Sequence, residues 1–335
     1  MMESFAKCTE VLPMGFITQE HFTQLATIIH EKLEKHQERQ TERVGKRKEE
    51  DYDEEVEEIL KDEHDTDSYI LSKVSDCMHS LFKTHKEAIL PFFEHMLPDF
   101  VKLLEPQQPH SDRQWALCIF DDLLEYAGPS SIKYQDVFLT PMLNSVQDAN
   151  AEVRQAAAYG FGVMAQFGGP DYANVCAEVI PVLSAVIQHS DGRTKANVSA
   201  TENCVSAVTK ICKYNASKVD VNSVLTSWLS WLPVVEDHAE APHVYGYLCD
   251  LIEANHPVVL GVNNANIPAI IGIFAQSFVC EVYETNPELA HRIRTIVMQV
   301  KGNEAVWNAT VGSLNEEQQT ALKAFLEGIP VVAEN

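Results

Sequence analysis

Arg113-Gln114-Trp115-Ala116 and Arg154-Gln155-Ala156-Ala157 echo each other 41 residues apart, and Gly128-Pro129 recurs as Gly169-Pro170 at the same distance. A period near ~40 residues with helical patterning marks stacked two-helix repeats, because one such unit cannot bury its apolar face alone. The repeat extends outward from this pair. Pro98, Pro141, Pro181 and Pro268 each fall near the start or middle of an apolar helical run, at spacings of 43, 40 and 87. The last spacing is about two repeats of ~40–47 residues, and the missing intermediate falls near Leu225-Thr226, in the run carrying Trp228 and Trp231. Asp121-Asp122-Leu123-Leu124-Glu125 and Asp250-Leu251-Ile252-Glu253 place their glutamates 128 residues apart, close to three periods.

Helical periodicity fills the spaces between these marks. Val198, Thr201, Val205, Val208 and Cys212 step by three or four and form one apolar stripe, as do Phe138, Met142, Leu143 and Val146. Ser111 with Gln114, and Ser313 with Glu316, have the spacing of capping boxes. The pattern predicts an all-α solenoid, a right-handed superhelix of antiparallel helix pairs. The pairs fall at 18–48 with 66–84, 86–105 with 112–127, 132–147 with 151–167, 172–188 with 193–213, 221–234 with 238–254, and 266–284 with 287–300. Residues 1–17, with Phe5, Cys8, Val11 and Leu12, read as the end of a truncated repeat. Residues 18–84 form a repeat with a long charged helix and an acidic insertion at 49–67, 85–302 further repeats, and 303–335 a capping helix (Ser313–Gly328) and tail.

Composition narrows the function. The 335 residues carry 49 acidic against 25 basic side chains, a net charge of −24, with 45% hydrophobic content. Such a surface repels nucleic acid and attracts basic proteins. Eight scattered cysteines without C-x-x-C fit a reducing compartment. No signal-peptide-like stretch and no apolar run of spanning length is read, so neither membrane nor secretory pathway is expected, and the sequons at Asn197, Asn215 and Asn308 are taken as chance.

The candidate surface is acidic. Lys46-Arg47-Lys48 runs into Glu49-Glu50-Asp51-Tyr52-Asp53-Glu54-Glu55-Val56-Glu57-Glu58, followed by Asp62-Glu63-His64-Asp65. Charge runs are ordinarily solvated faces; the alternative is an anionic arm that captures Lys/Arg-rich segments, through Asp51, Asp53, Glu54, Glu55, Glu57 and Glu58. A second set, Asp121, Asp122, Glu125, Glu202, Asp250 and Glu253, lies on the second helices of successive repeats and would line a concave wall. Arg113, Asp148, Arg154 and Lys195 are read as a structural ion-pair ladder between repeats. Trp115, Trp228 and Trp231 are read as core. Asp51-x-Asp53 opens like a calcium loop but lacks the turn glycine, the histidines lack metal-ligand spacing, and there is no P-loop, G-x-G-x-x-G or G-x-S-x-G. No catalytic residue, metal or cofactor is expected.

Asp148 to Val153-Arg154, Ala157 and Gly162-Val-Met-Ala165 resemble the HEAT-repeat pattern. More narrowly, Asp51-Tyr-Asp-Glu-Glu-Val-Glu-Glu58, Asp112-Arg-Gln-Trp115 with Leu117-Cys-Ile-Phe-Asp-Asp122, Glu152-Val-Arg-Gln-Ala-Ala-Ala-Tyr-Gly160, Ala200-Thr-Glu-Asn-Cys204, Trp228-Leu-Ser-Trp-Leu-Pro233 and Tyr247-Leu-Cys-Asp-Leu-Ile-Glu253 are long, specific strings spread over the chain. Through them it resembles the carboxy-terminal third of the importin beta-3 (karyopherin beta-3) family. The resemblance implies a nuclear import receptor, or its carboxy-terminal arch, moving between cytoplasm and nucleus through the pore. Its partners would be basic cargo proteins with localisation signals, phenylalanine-glycine nucleoporins and Ran-GTP, the main Ran surface lying in repeats that this chain lacks. The Lys195 repeat departs from the pattern, with His189 where the acid would sit. The competing reading is a HEAT scaffold of a multiprotein complex such as a phosphatase, or a shortened receptor without transport activity.

Overall fold

A computed structural model describes residues 2–11, 15–283 and 286–328. Leu12 and the tail segment 329–335 lie outside the described residues. Among the described residues there is no strand. The helices in chain order are α1 (Met2–Val11), α2 (Gln19–Lys46), α3 (Glu54–His85), α4 (Leu90–Leu103), α5 (His110–Ala127), α6 (Gln135–Ser145), α7 (Ala151–Phe167) and α8 (Ala173–Ile187). They continue with α9 (Val198–Tyr214), α10 (Val221–Trp228), α11 (Ala241–Glu253), α12 (Pro257–Leu260), α13 (Ile267–Val279), α14 (Pro287–Lys301), α15 (Glu304–Ser313) and α16 (Glu316–Glu327). The chain divides into two compact units, Met1–Tyr172 and Ala173–Asn335.

In the first unit α5 packs along α3 and α7, α1 along α3, and α4 against α2 and α5. Phe93 of α4 centres its core, with ring centroids 5.4 Å from Phe82, 5.9 Å from Phe120 and 5.4 Å from Tyr134. The repeated Gly-Pro pair has a direct cause. Gly128 and Gly169 have φ of +54° and +87°, and each proline opens a short 3-10 turn. A Cβ on Gly169 would lie 3.1 Å from Pro129, and Ser131 Oγ lies 3.1 Å from Tyr172 Oη, so the two copies stack. Pro98, Pro141 and Pro181 lie inside α4, α6 and α8, and Pro268 in the first turn of α13.

In the second unit α9 is central, packing on α8 and α11, while α13 packs on α15 and α16. Trp228 is buried and donates from Nε1 to Thr209 Oγ1 at 2.8 Å; Trp231 is buried and Trp115 partly so. Phe278 and Phe325 stack with centroids 3.7 Å apart, fixing α16 on α13.

Several expectations are corrected. The acidic stretch is no loop beyond Asp53: residues 54–67 are the first half of the 32-residue α3. Glutamate is a good helix former, and carboxylates in a first turn suit the amide-rich helix end. Ser111 does not cap α5; it is buried inside the helix, which starts after Pro109. Asn315, not Ser313, caps α16 in a box with Gln318, and Ser313 ends the separate helix α15. The stretch 170–187 does reach the length and apolarity of a membrane span, though Asp171 and Glu178 interrupt it and Cys176, Val179, Leu183 and Ile187 are buried.

Candidate partner-binding surface

The α2–α3 connection sorts the acidic residues. Asp53 is the N-cap of α3, accepting from the Val56 amide at 2.9 Å. Glu57 accepts from Arg47 Nε and Nη2 at 2.9 and 3.1 Å and from Tyr52 Oη at 2.7 Å, which holds its carboxyl at about 2. Lys46 lies 3.8 Å from Glu63. Those charges are already answered. Asp51, Glu54, Glu55, Glu58, Asp62 and Asp65 are exposed, and among the described residues none of them makes an ion pair.

Helical spacing then arranges the unpaired ones. Glu55, Glu58, Asp62 and Asp65 follow i, i+3, i+7 and i+10, so they share one face of α3. Ile59, 53% exposed, and Tyr69, 61% exposed, fall in the same stripe. The face offers four carboxylates interleaved with apolar contact area, a surface complementary to a cationic segment.

The second-helix set behaves differently. Asp121 is buried between α5 and α7, its Oδ1 lying 2.3 Å from where a Gly160 Cβ would sit. Burial, with Asp122 and Glu125 adding to it, raises its pKa well above the carboxylate range. Asp122 is buried against His79 Nδ1 at 2.7 Å, with burial pushing it up to about 6. Glu125 is half-buried and accepts from Tyr159 Oη at 3.1 Å. Glu202 is fully buried and accepts from the amides of Val235, Glu236 and Asp237 at 2.9–3.0 Å, with Arg193 Nη1 at 3.4 Å. Burial raises its pKa, and the three amides oppose the rise. Asp250 is bridged by Lys213 and Arg292, each at 2.8 Å, and Glu253 by Arg292 at 2.7 Å. The structure thus withdraws Asp121, Asp122 and Glu202 from any accessible wall and engages Asp250 and Glu253 in cross-helix pairs.

Of the expected ladder, Arg113 and Asp148 meet at 2.7 Å. Arg154 donates to the carbonyls of Asp148 and Ala149 at 2.7 and 3.0 Å. Lys195 is exposed in the turn before α9, and Arg193 instead reaches the carbonyls of Trp231 and Pro233.

One cluster escaped the sequence reading. His36 Nε2 lies 2.7 Å from Asp112, and Asp67 is bonded by Arg43 Nη1 at 2.6 Å and Arg39 Nε at 2.9 Å, tying α2 to α3 and α5. Its signal was present: the buried stripe Leu25, Ile29, Leu33 runs on through His36 and Arg43 at helical spacing. No group of three or more His, Cys, Asp or Glu suited to a metal occurs among the described residues.

Residues 1–106 match the protein family described as Importin repeat 6, and residues 237–282 the one described as Importin repeat. The chain is 29% identical over 228 residues to Importin subunit beta-3 of Saccharomyces cerevisiae, covering 68% of this chain and 21% of that protein. It is 26% identical over 210 residues to the Probable importin-5 homolog of Dictyostelium discoideum, covering 61% of this chain and 19% of that protein. It therefore spans about a fifth of the length of these curated relatives. Its fold is that of the karyopherin Kap121p. Kap121p bound to the SUMO protease Ulp1p superposes at a TM-score of 0.75 with 21% identity, over 97% of this chain and 28% of that one. Kap121p bound to RanGTP gives 0.75 with 19% identity over the same shares. The chain is built of HEAT-type repeats and is related to the importin beta-3 proteins.

Proposed function

We propose that this relative of importin beta-3 is a segment of a nuclear import receptor that works by reversible binding, without covalent chemistry. It takes cationic segments of cargo proteins, passes between cytoplasm and nucleus by contacts with phenylalanine-glycine nucleoporins, and is part of a Ran-dependent cycle. The carrying observation is the match of residues 1–106 to Importin repeat 6, the stretch that also bears the unpaired acidic stripe of α3. Further support is that Kap121p, whose fold it shares, has been solved bound to RanGTP, Nup53p, Ste12p and Pho4p. Asp51, Glu54, Glu55 and Glu58, joined by Asp62 and Asp65, are the residues assigned to cargo, Asp53 and Glu57 serving mainly to hold the turn.

Exposed charges act through a screening length of about 8 Å at physiological salt, so binding is salt-sensitive. A lysine-rich peptide is expected to bind at low salt and to weaken as salt rises. Neutralising Glu55, Glu58, Asp62 and Asp65 to Gln or Asn is expected to weaken it about tenfold by removing the complementary field. Equal affinity of variant and parent would remove the stripe from the cargo surface. Retention on phenylalanine-glycine nucleoporin beads separates a receptor from a scaffold, which would wash through.

A further inference from the structure

Tyr52 stands in Glu49-Glu50-Asp51-Tyr52-Asp53-Glu54-Glu55, where every flanking side chain is a carboxylate. It lies in the non-helical connection between α2 and α3 and is 38% exposed. Among the described residues two other tyrosines are as open, Tyr69 at 61% and Tyr214 at 43%. Tyr69 is inside α3 and Tyr214 is the last residue of α9. An enzyme that threads its substrate through a cleft as extended chain reaches a residue between helices without unwinding one. Only Tyr52 of the three combines exposure with a place in a connection.

We propose that Tyr52 is a tyrosine-phosphorylation site for a kinase with a Lys/Arg-lined substrate cleft, and that the phosphate opens the Arg47–Glu57 clamp. The phenolic oxygen attacks the γ-phosphorus of ATP; the new O–P bond forms as the bond to the β,γ-bridging oxygen breaks. ADP leaves, and the phenolic proton passes to the kinase's catalytic carboxylate. The product has lost the donor that now reaches Glu57 at 2.7 Å. In its place stands a charge of about −1.5 to −2 with three acceptor oxygens, a better bidentate partner for Arg47 than one carboxylate. Lys46 and Lys48 flank Arg47 in the same turn region. The phosphate would sit just before the first turn of α3, where the free amides and helix dipole favour an anion, so the helix is kept rather than melted. Glu57, freed from both donors, joins the unpaired carboxylates of α3.

The site stands on the geometry of Tyr52 and needs no cargo reading. The experiment treats the full chain, and in parallel a peptide of residues 46–57, with Mg-ATP and a recombinant tyrosine kinase that prefers acidic flanks, followed by mass-spectrometric mapping. Expected is one phosphoryl group, on Tyr52, lost in Tyr52→Phe and retained in Glu57→Gln. In the phosphorylated chain the carboxyl carbon of Glu57 should titrate higher than in the unphosphorylated chain, nearer the ordinary carboxylate range, because Arg47 and Tyr52 no longer hold it down. Label on Tyr69 or Tyr214, a labelled peptide beside an unlabelled chain, or no label on either would overturn the site. An unmoved Glu57 titration would overturn the opening of the clamp.

Discussion

Glu58 on α3 and Glu202 on α9 carry the same functional group, yet one is exposed without an ion pair and the other is fully buried under three backbone amides. The contrast is physical. A carboxylate removed from water must be matched by donors, and once matched it is no longer available to a partner. A carboxylate left in water does little for stability and keeps its charge on offer. Net charge therefore overstates the charge left accessible: α5, α9 and α11 use several of their carboxylates internally, while the first turns of α3 leave most of theirs exposed.

The sharpest way to break this contrast is Glu202→Ala. It leaves three inward-facing amides unpaired and is expected to destabilise the second unit by about 3 kcal/mol, read from the urea midpoint. Gly160→Ala comes next, because its Cβ would lie 2.3 Å from Asp121 Oδ1 and 2.6 Å from Met142 Cε. Overpacking there should cost about 1–2 kcal/mol, softened by the flexible methionine. The His79–Asp122 pair gives a smaller, pH-dependent effect. The Asp122 carboxylate raises the His79 pKa, and burial raises Asp122 to about 6. Both groups hold protons more tightly folded than unfolded, so the Asp122 contribution is full only below its unfolded value of 3.8 and is lost as pH rises to about 6, while that of His79 is full below 6.5 and is lost as pH rises through its raised folded value. His79→Gln should flatten the upper part of that decline, by under about 1 kcal/mol given the exposure of the imidazole. Last, neutralising Glu55, Glu58, Asp62 and Asp65 should leave stability within about 0.5 kcal/mol of the parent. A larger loss would make the stripe structural after all.

Much of the fold was legible because repeats advertise themselves. The Gly-Pro pair at 128 and 169 reflects a backbone geometry that two successive repeats share, and Arg113 with Asp148 reflects a packing distance. The division of carboxylates was not legible. Helical spacing places Asp121, Asp122 and Glu125 within one turn, but which of them is buried depends on a helix far along the chain, where Gly160 leaves room for Asp121. The extent of α3 was hidden for another reason. Dense like charge resembles an unstructured run, and the Asp53 cap that turns it into helix is one carboxylate among many. His36 and Arg43 were hidden by their polarity, since an apolar stripe that continues in charged residues looks finished where it turns polar.

The amides of Val235, Glu236 and Asp237 have a use in the bench design of reporters. A fluorescent domain spliced between Val235 and Glu236 would pull that peptide off Glu202 and disturb α9. Spliced at Glu50, it interrupts the Tyr52 to Glu49 bond but leaves Glu49 to Lys46 in place, both of them bonds that close within the turn. A tag carried there would ride beside the α3 stripe, straining the Arg47–Glu57 pair that spans the insertion and leaving Glu202 and α9 untouched.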